Sequence, residues 1–481
     1  MTESRTSSPP ASVAVRQAGL LFRVTAVVLL ALAAQAADFR AGQGKSDITP
    51  PPGMPMAGYY NVRLNEGIHD PLHAKAIVLE KDGVKAALVA CDLVDLSESV
   101  VRKTREIVES TCGIPGSHTM ISATHTHTGP VMSETPPGAS GQAAAIAREY
   151  LSGLPERIAA AVSAADNSLR PVKVRAGSGR EDSISFVRRF VLKDGSIGWN
   201  PGKLNPGIVR PVSTIDSEVP VVSLESPGAG PMAAYVNFAN HLDTVGGLQF
   251  SADYPYTLAR LLGEAKGPEM LTLFSLGACG NVNHIDVTTP EPQKGHAEAA
   301  RIGTILAGSV LEVWPRLREV ETGAVKARVR RVSLPVVPVT PDDIAKAREV
   351  AARFGTPAAA PFYEQVWAFK VLTAAERNGR PMEAEVQVIA LGNEVAWVGL
   401  PGEVFVELGK AVKLASPFPH TIVVTLANGS LGEYIPDRKA YAQGAYEVIS
   451  TPLAPGGGEA LAEAGVQLLL ALRDPYPPAK R

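Results

Sequence analysis

Residues 119–130 read Thr119-Met120-Ile121-Ser122-Ala123-Thr124-His125-Thr126-His127-Thr128-Gly129-Pro130. The first five form a short run without strict polar alternation, as in a strand buried on both faces, and the run stops at a polar segment holding two histidines. Histidines two apart on an extended segment project to the same side, so both imidazoles can reach one ion or one substrate atom. A solvent-facing strand end would use the same residues. The arrangement recurs along the chain. Runs 84–91, 233–238, 270–276, 395–400 and 421–426 also read as strands. Asp92 follows the first of these, His241 the second, Asn281, Asn283 and His284 the third, and Glu403 the fourth, while Tyr434 lies beyond the last. Stretches 100–110, 143–165, 256–265, 297–317, 341–354, 360–378, 404–414 and 458–472 have helical length or period, and Gly392-Asn393 marks a hairpin. The pattern predicts an α/β fold, a layered mixed β-sheet with helices. Ligands of such sheets bind beyond the carboxyl ends of the strands, so polar groups supplied there by different strands converge on one site.

Each group also has a structural reading. In Asn240-His241-Leu242-Asp243, the carboxylate can orient a ligating imidazole, or the histidine can be a hydrogen-bonded structural residue. Glu403, in Pro401-Gly402-Glu403, can ligate a metal or can compensate the dipole of a helix over 404–414 from its first turn. The loop Gly277-Ala278-Cys279-Gly280-Asn281-Val282-Asn283-His284 has glycines that permit close backbone approach to a ligand, and its N–H groups or asparagines can serve as oxyanion donors. Cys279, between apolar neighbours, reads as a buried structural thiol rather than a nucleophile. The sequence contains no GxSxG elbow, P-loop, GxGxxG or HExxH, which removes support for serine-elbow hydrolases, NTPases, dinucleotide enzymes and zincins.

The 481 residues carry 48 acidic and 46 basic side chains and are 45% apolar, which argues against a disordered chain and against a nucleic-acid partner. Three cysteines, Cys91, Cys112 and Cys279, are too few for a disulfide framework, although one pair can still bridge. Arg16 and Arg23 precede an uncharged run of 11 residues at 24–34, and Ala34-Gln35-Ala36 supplies a small-x-small cleavage pattern. The run is short beside the ~20 residues needed to span a bilayer, so residues 1–36 are expected to be a signal peptide, cleaved near Ala36, rather than an anchor. Its removal takes away one acidic and three basic side chains, and the charge goes from −2 to −4. The expected location is secreted or periplasmic.

Several segments, in chain order, resemble the neutral/alkaline (non-lysosomal) ceramidase family. Gly44-Lys45-Ser46-Asp47-Ile48-Thr49-Pro50 is similar to that family's opening motif, and Gly67-Ile68-His69-Asp70-Pro71-Leu72-His73-Ala74 to its second. Ser122 to Pro130 is nearly identical to its SATHTHSGP stretch. His241, Ser251-Ala252-Asp253-Tyr254-Pro255, Leu400-Pro401-Gly402-Glu403 and the interval from Glu433-Tyr434 to Tyr446-Glu447 match later motifs. The resemblance implies residues 37–481 as one catalytic domain like the family's N-terminal domain, with no C-terminal immunoglobulin-like domain. It implies one catalytic Zn²⁺ held by His125, His241, Glu403 and Tyr434, with His127 beside it, Arg188 contacting substrate and Tyr446 near the reacting carbonyl. The implied activity is hydrolysis of N-acyl amide bonds, ceramide-like lipids first, by attack of a zinc-activated water, with His127 or Tyr446 managing protons. A small-molecule or lipid N-acyl substrate leaves room for transient contact with a membrane surface.

The chain departs from the family where the catalytic serine of a GDxSPN segment is expected. Asn283 stands at that position and cannot be the nucleophile. Two alternatives follow: a deacylase or esterase of the same fold acting on acylated sugars, and a non-catalytic, zinc-stabilised binding protein.

Overall fold

The computed structural model describes residues 39–473 apart from 137, 140, 430, 432 and 433, together with residues 1 and 2. The expected signal peptide, its cleavage point and Glu433 therefore fall outside the described residues. Three principal sheets organise the rest. The first has β1 (Arg40–Asp47), β2 (His73–Lys81), β3 (Val84–Cys91) and β4 (Thr119–Ala123) in the order β4-β3-β2-β1. The second orders β5 (Lys173–Arg180), β6 (Glu218–Ser226), β7 (Gly230–Phe238) and β8 (Leu271–Leu276) as β8-β7-β6-β5. The third runs β9 (Val325–Leu334), β10 (Met382–Leu391), β11 (Val395–Gly399), β12 (His420–Val424). Antiparallel pairing dominates, but each sheet contains one parallel pair: β3 with β4, β7 with β8 and β11 with β12. The mixed sheets and interleaved helices are those the sequence predicts, including the hairpin at Gly392, where Leu391 pairs with Val395.

One face of each sheet turns to a shared core. Ile77 and Leu88 from the first sheet meet Val222 and Tyr235 from the second and Ile389 and Trp397 from the third. The outer faces are covered by helices, as burial of both faces of a sheet requires. Helices α1 (Glu98–Cys112) and α2 (Gly141–Asn167) lie together, α2 on the first sheet, and α3 (Tyr254–Lys266) and α4 (His296–Val313) lie on the second. Helices α5 (Pro341–Ala351) and α6 (Phe362–Glu376) pack on each other around Ala347, Val350 and Val371. The third sheet is covered by α7 (Val406–Ala415) and α8 (Gly457–Leu472). Among the described residues no helix is long and apolar enough to cross a membrane.

The carboxyl ends of the three parallel pairs are laced together by residues 425–428. Leu426 O accepts from Ala123 N at 3.2 Å, and Asn428 N donates to Ile121 O at 2.7 Å. Thr425 N donates to Leu276 O at 2.9 Å, and Ala427 N to Leu400 O at 3.1 Å. Two expectations change here. The helix predicted over 404–414 starts at Val406, because Glu403-Val404 instead pairs in parallel with Tyr434-Ile435. Glu403 is thus outside the first helical turn, where Glu407 stands in its place. The three cysteines are buried free thiols rather than a bridged pair.

Asn428 sits at φ +61°, a region asparagine tolerates better than most residues. Its Oδ1 accepts from Ile121 N at 3.0 Å and its Nδ2 donates to Gln387 Oε1 at 2.7 Å. Asn428→Ala leaves that buried N–H unpaired and strains the backbone. It is expected to lower stability in denaturant unfolding by about 2–4 kcal/mol with an unchanged slope; a loss below about 0.5 kcal/mol would show that the lacing does not depend on this side chain.

Candidate metal centre

His125 lies two residues beyond β4 and His241 three beyond β7, on loops fixed by backbone bonds. His125 N donates to Leu93 O at 2.8 Å, and its ring Nδ1 donates to Val94 O at 2.7 Å. Spending Nδ1 in this way turns Nε2 toward the interior. His125 has φ +76°, an uncommon conformation for a non-glycine residue and one found at functional sites. The chain has already left the strand here, so His125 and His127 are brought together by this kink and not by the two-residue period of an extended segment. His127 is held from behind: its O accepts from Arg63 Nη2 at 2.8 Å, and its N donates to Leu242 O at 3.0 Å. Gly58, at φ +96°, presses on it so closely that a Cβ would lie 2.6 Å from the His127 Cβ.

The His125 ring meets each of the other two edge to face. His125 Nε2 is 3.1 Å from His241 Nε2 and 3.3 Å from His127 Nε2. Glu403 Oε2 lies 3.4 Å from His125 Nε2 and 3.5 Å from His241 Nε2, and has no hydrogen-bond partner among the described residues. Three imidazole nitrogens and one carboxylate oxygen therefore share a buried space with few protons between them. Burial works against charge on His125, but the Glu403 carboxylate outweighs it and raises the imidazole's pKa. Burial pushes the Glu403 carboxyl up, while His125, His241 and Arg188 pull it down to about 2. Burial and the His125 charge hold His127 down to about 4 and His241 well below the usual histidine range. These donors suit a divalent cation.

The centre forms the floor of a cavity of about 450 Å³, lined by Tyr59, Asp95, His125, Glu403, Tyr434 and Tyr446 among others. Tyr434 arrives beside Glu403 through the parallel bridge between their short strands. Its ring is 5.4 Å from that of Tyr446, which in turn lies 4.4 Å from Trp199 and 5.5 Å from Phe362 of α6. Tyr59, Tyr60, Phe354 and Phe369 also line the cavity, so much of its wall is aromatic.

Two solved structures match this chain along most of its length. One is the neutral ceramidase of Pseudomonas aeruginosa, 22% identical with a TM-score of 0.69, the match covering 91% of this chain and 74% of that one. The other, a ceramidase complexed with C2, is 19% identical with a TM-score of 0.69, covering 90% and 75%. The fold is that of the neutral ceramidases. No protein-family model matches the chain. No curated protein matches its sequence.

Within this neutral ceramidase fold, six of the eight residues singled out from the sequence meet at the centre: His125, His127, His241, Glu403, Tyr434 and Tyr446. The other two stand apart from the cavity wall. Asn283 is fully buried, donates to Asn200 Oδ1 at 3.2 Å and accepts from Ile285 N at 3.0 Å. Arg188 is 2% exposed, donates to Glu447 Oε1 at 2.9 Å and to Gly280 O at 2.7 Å, and stacks 5.1 Å from the Tyr434 ring. It supports Tyr434 from behind.

Three further expectations are corrected. Asp243 Oδ1 pairs with His284 Nδ1 at 3.0 Å, whereas His241 Nδ1 faces Cys279 Sγ at 3.9 Å. Asp92 accepts from His73 N at 3.0 Å and holds the β2 end rather than the site. Gly280 permits close approach to the chain itself and not to a ligand, since a Cβ there would lie 2.2 Å from Glu403 O. Two supporting scaffolds come from the resemblance motifs. Asp70 accepts from Ser251 Oγ at 2.7 Å and from Ala252 N at 2.6 Å, while Ser251 O accepts from Thr126 Oγ1 at 2.6 Å. Asp253 accepts from Thr244 N at 3.0 Å and Val245 N at 3.1 Å, fixing the loop after His241.

Sequence reading missed Arg63, Asp95, Trp199 and Glu447, none of which carries a local metal-site pattern. Asp95, close behind a strand end, had a positional signal, and Glu447 stood in the Tyr446-Glu447 motif without an assigned role. Glu447 is the largest omission: its carboxylate is fully buried between Arg188 at 2.9 Å and Arg189 at 2.7 Å. Glu447→Ala strands two buried guanidinium groups and is expected to cost about 3–5 kcal/mol in chemical unfolding. A variant within about 1 kcal/mol of the parent would show that the pair of arginines finds other partners.

Proposed function

We propose that this chain is a secreted or periplasmic zinc-dependent amidohydrolase that cleaves N-acyl amide bonds, with ceramide-like lipids as the first substrates, and that residues 37–481 form its catalytic domain. The observation that carries the reading is the meeting of three imidazole Nε2 atoms with Glu403 Oε2 on the floor of an aromatic-walled cavity. The neutral ceramidase fold supports the choice of reaction class. His125, His241 and Glu403 would hold the ion, with Tyr434 completing the set. A bound zinc ion supplies a Lewis acid that polarises a carbonyl and activates water.

The chain's own residues supply the rest. Val94 O fixes the His125 tautomer, and Arg188 keeps the Glu403 region electropositive. His127, neutral at pH 7, is suited to accept a proton at Nε2, and the Tyr446 hydroxyl is suited to donate to the developing oxyanion. With asparagine at position 283, water is the nucleophile. The aromatic wall of Tyr60, Phe354, Phe369 and Tyr446 shelters an apolar substrate and excludes bulk water.

The test is hydrolysis of a fluorescent short-chain N-acylsphingosine, beside N-acetylated and O-acetylated sugars, by metal-free and zinc-loaded protein. Zinc-dependent release of fatty acid is expected, reduced at least about 100-fold in Glu403→Gln; release only from the sugars would move the substrate class, and zinc binding without turnover on any compound would favour the binding protein. Zinc affinity is also pH-dependent. The raised pKa of His125 means that a proton must leave before the ion enters, so affinity should rise with pH by up to about tenfold per unit and level off once His125 is neutral. Equilibrium dialysis showing flat affinity between pH 5 and 8 would contradict this ligand assignment.

A further inference from the structure

Beside the histidine cluster, the cavity wall carries a carboxylate that the fold leaves unused. Asp95 lines the cavity with Glu403 and Tyr446, and its Oδ1 is buried without a hydrogen-bond partner. Among the described residues no ion pair includes it, whereas the Glu403 carboxylate is already shared by His125 and His241. Leaving a buried acceptor unpaired is costly, and native structures rarely do so without a reason.

The chain on both sides of Asp95 is fixed. Leu93 O and Val94 O receive the two His125 donors, and Ser97 Oγ accepts from Val100 N at 3.3 Å to cap α1. An acceptor on so rigid a segment is preorganised for a partner that enters the cavity. Much of the nearby wall is apolar or aromatic, including Met56, Met132, Phe354 and Phe369. A substrate fitting it is mainly hydrocarbon and carries a hydrogen-bond donor where it passes Asp95.

We propose that Asp95 is a specificity-determining residue that accepts a hydrogen bond from a hydroxyl on the amine portion of an N-acyl substrate. This rests on the amidohydrolase reading above. A plain acyl chain has no donor, so the donor belongs on the other side of the scissile bond. A site built around such a contact rejects analogues that lack the hydroxyl, because the carboxylate is then left buried and unpaired.

The experiment compares a short-chain N-acylsphingosine with an N-acylalkylamine of matched length that lacks both hydroxyls, in zinc-loaded parent, Asp95→Ala and Asp95→Asn. The parent is expected to favour the hydroxylated compound about 10- to 100-fold in kcat/KM. Asp95→Ala should lose that preference through a raised KM for the hydroxylated compound alone, and Asp95→Asn, which retains an acceptor oxygen, should keep part of it. An equal loss on both compounds would overturn the proposal, as would loss of zinc from Asp95→Ala in equilibrium dialysis, which would make Asp95 a ligand. Calorimetric binding of the same pair to metal-free protein separates the two readings. An Asp95-dependent hydroxyl preference without turnover sinks only the hydrolase; turnover without that preference sinks only the role of Asp95.

Discussion

Backbone groups at the ends of buried strands cannot turn to water, so they must find partners within the chain. Here residues 425–428 provide those partners for three parallel pairs at once, binding Ile121 and Ala123 of the first sheet, Leu276 of the second and Leu400 beyond β11. Three sheets that otherwise touch through side chains are thereby brought to a common edge. His125, His241 and Glu403 each follow one of those ends by a few residues, and their convergence is a consequence of that lacing.

The electrostatics of the centre follow from the same geometry. Glu403 alone cannot neutralise three imidazoles and Arg188, and three imidazoles crowded at 3.1–3.3 Å cannot all be charged. The cluster therefore keeps His127 and His241 neutral and makes His125 the imidazole that most readily holds a proton. Behind it, Glu447 holds Arg188 and Arg189 in a buried triad that fixes the approach of Tyr434. Two neutral nitrogen donors beside a carboxylate, with a third freed when His125 loses its proton, make a set that a divalent metal can use.

Much of this was readable from residue order. Runs such as 84–91 and 119–123 are mostly apolar because most of their residues are buried on both faces, and they coincide with β3 and β4. Outer strands carry weaker signals: β9, with Lys326, Arg328, Arg330 and Arg331, has no buried interior and reads as a charged stretch. The histidines, Glu403 and Tyr434 were legible because they stand at or beyond strand ends, whereas Tyr446 was legible only through the motif resemblance. Asp95, Arg63 and Glu447 were not, since their roles arise from contacts with distant segments. Asp243 misled for the same reason: two residues from His241 in sequence, its carboxylate turns to His284. Proximity in sequence cannot say which way a loop faces.

Zinc K-edge X-ray absorption of the zinc-loaded full chain tests the central claim most directly, because it reads the ligand atoms without reference to activity. A first shell of nitrogen and oxygen at about 2.0–2.2 Å, with imidazole scattering that diminishes in His241→Ala, is the predicted result. A sulfur contribution near 2.3 Å, which would bring in Cys279, or a spectrum unchanged by His241→Ala, would contradict it.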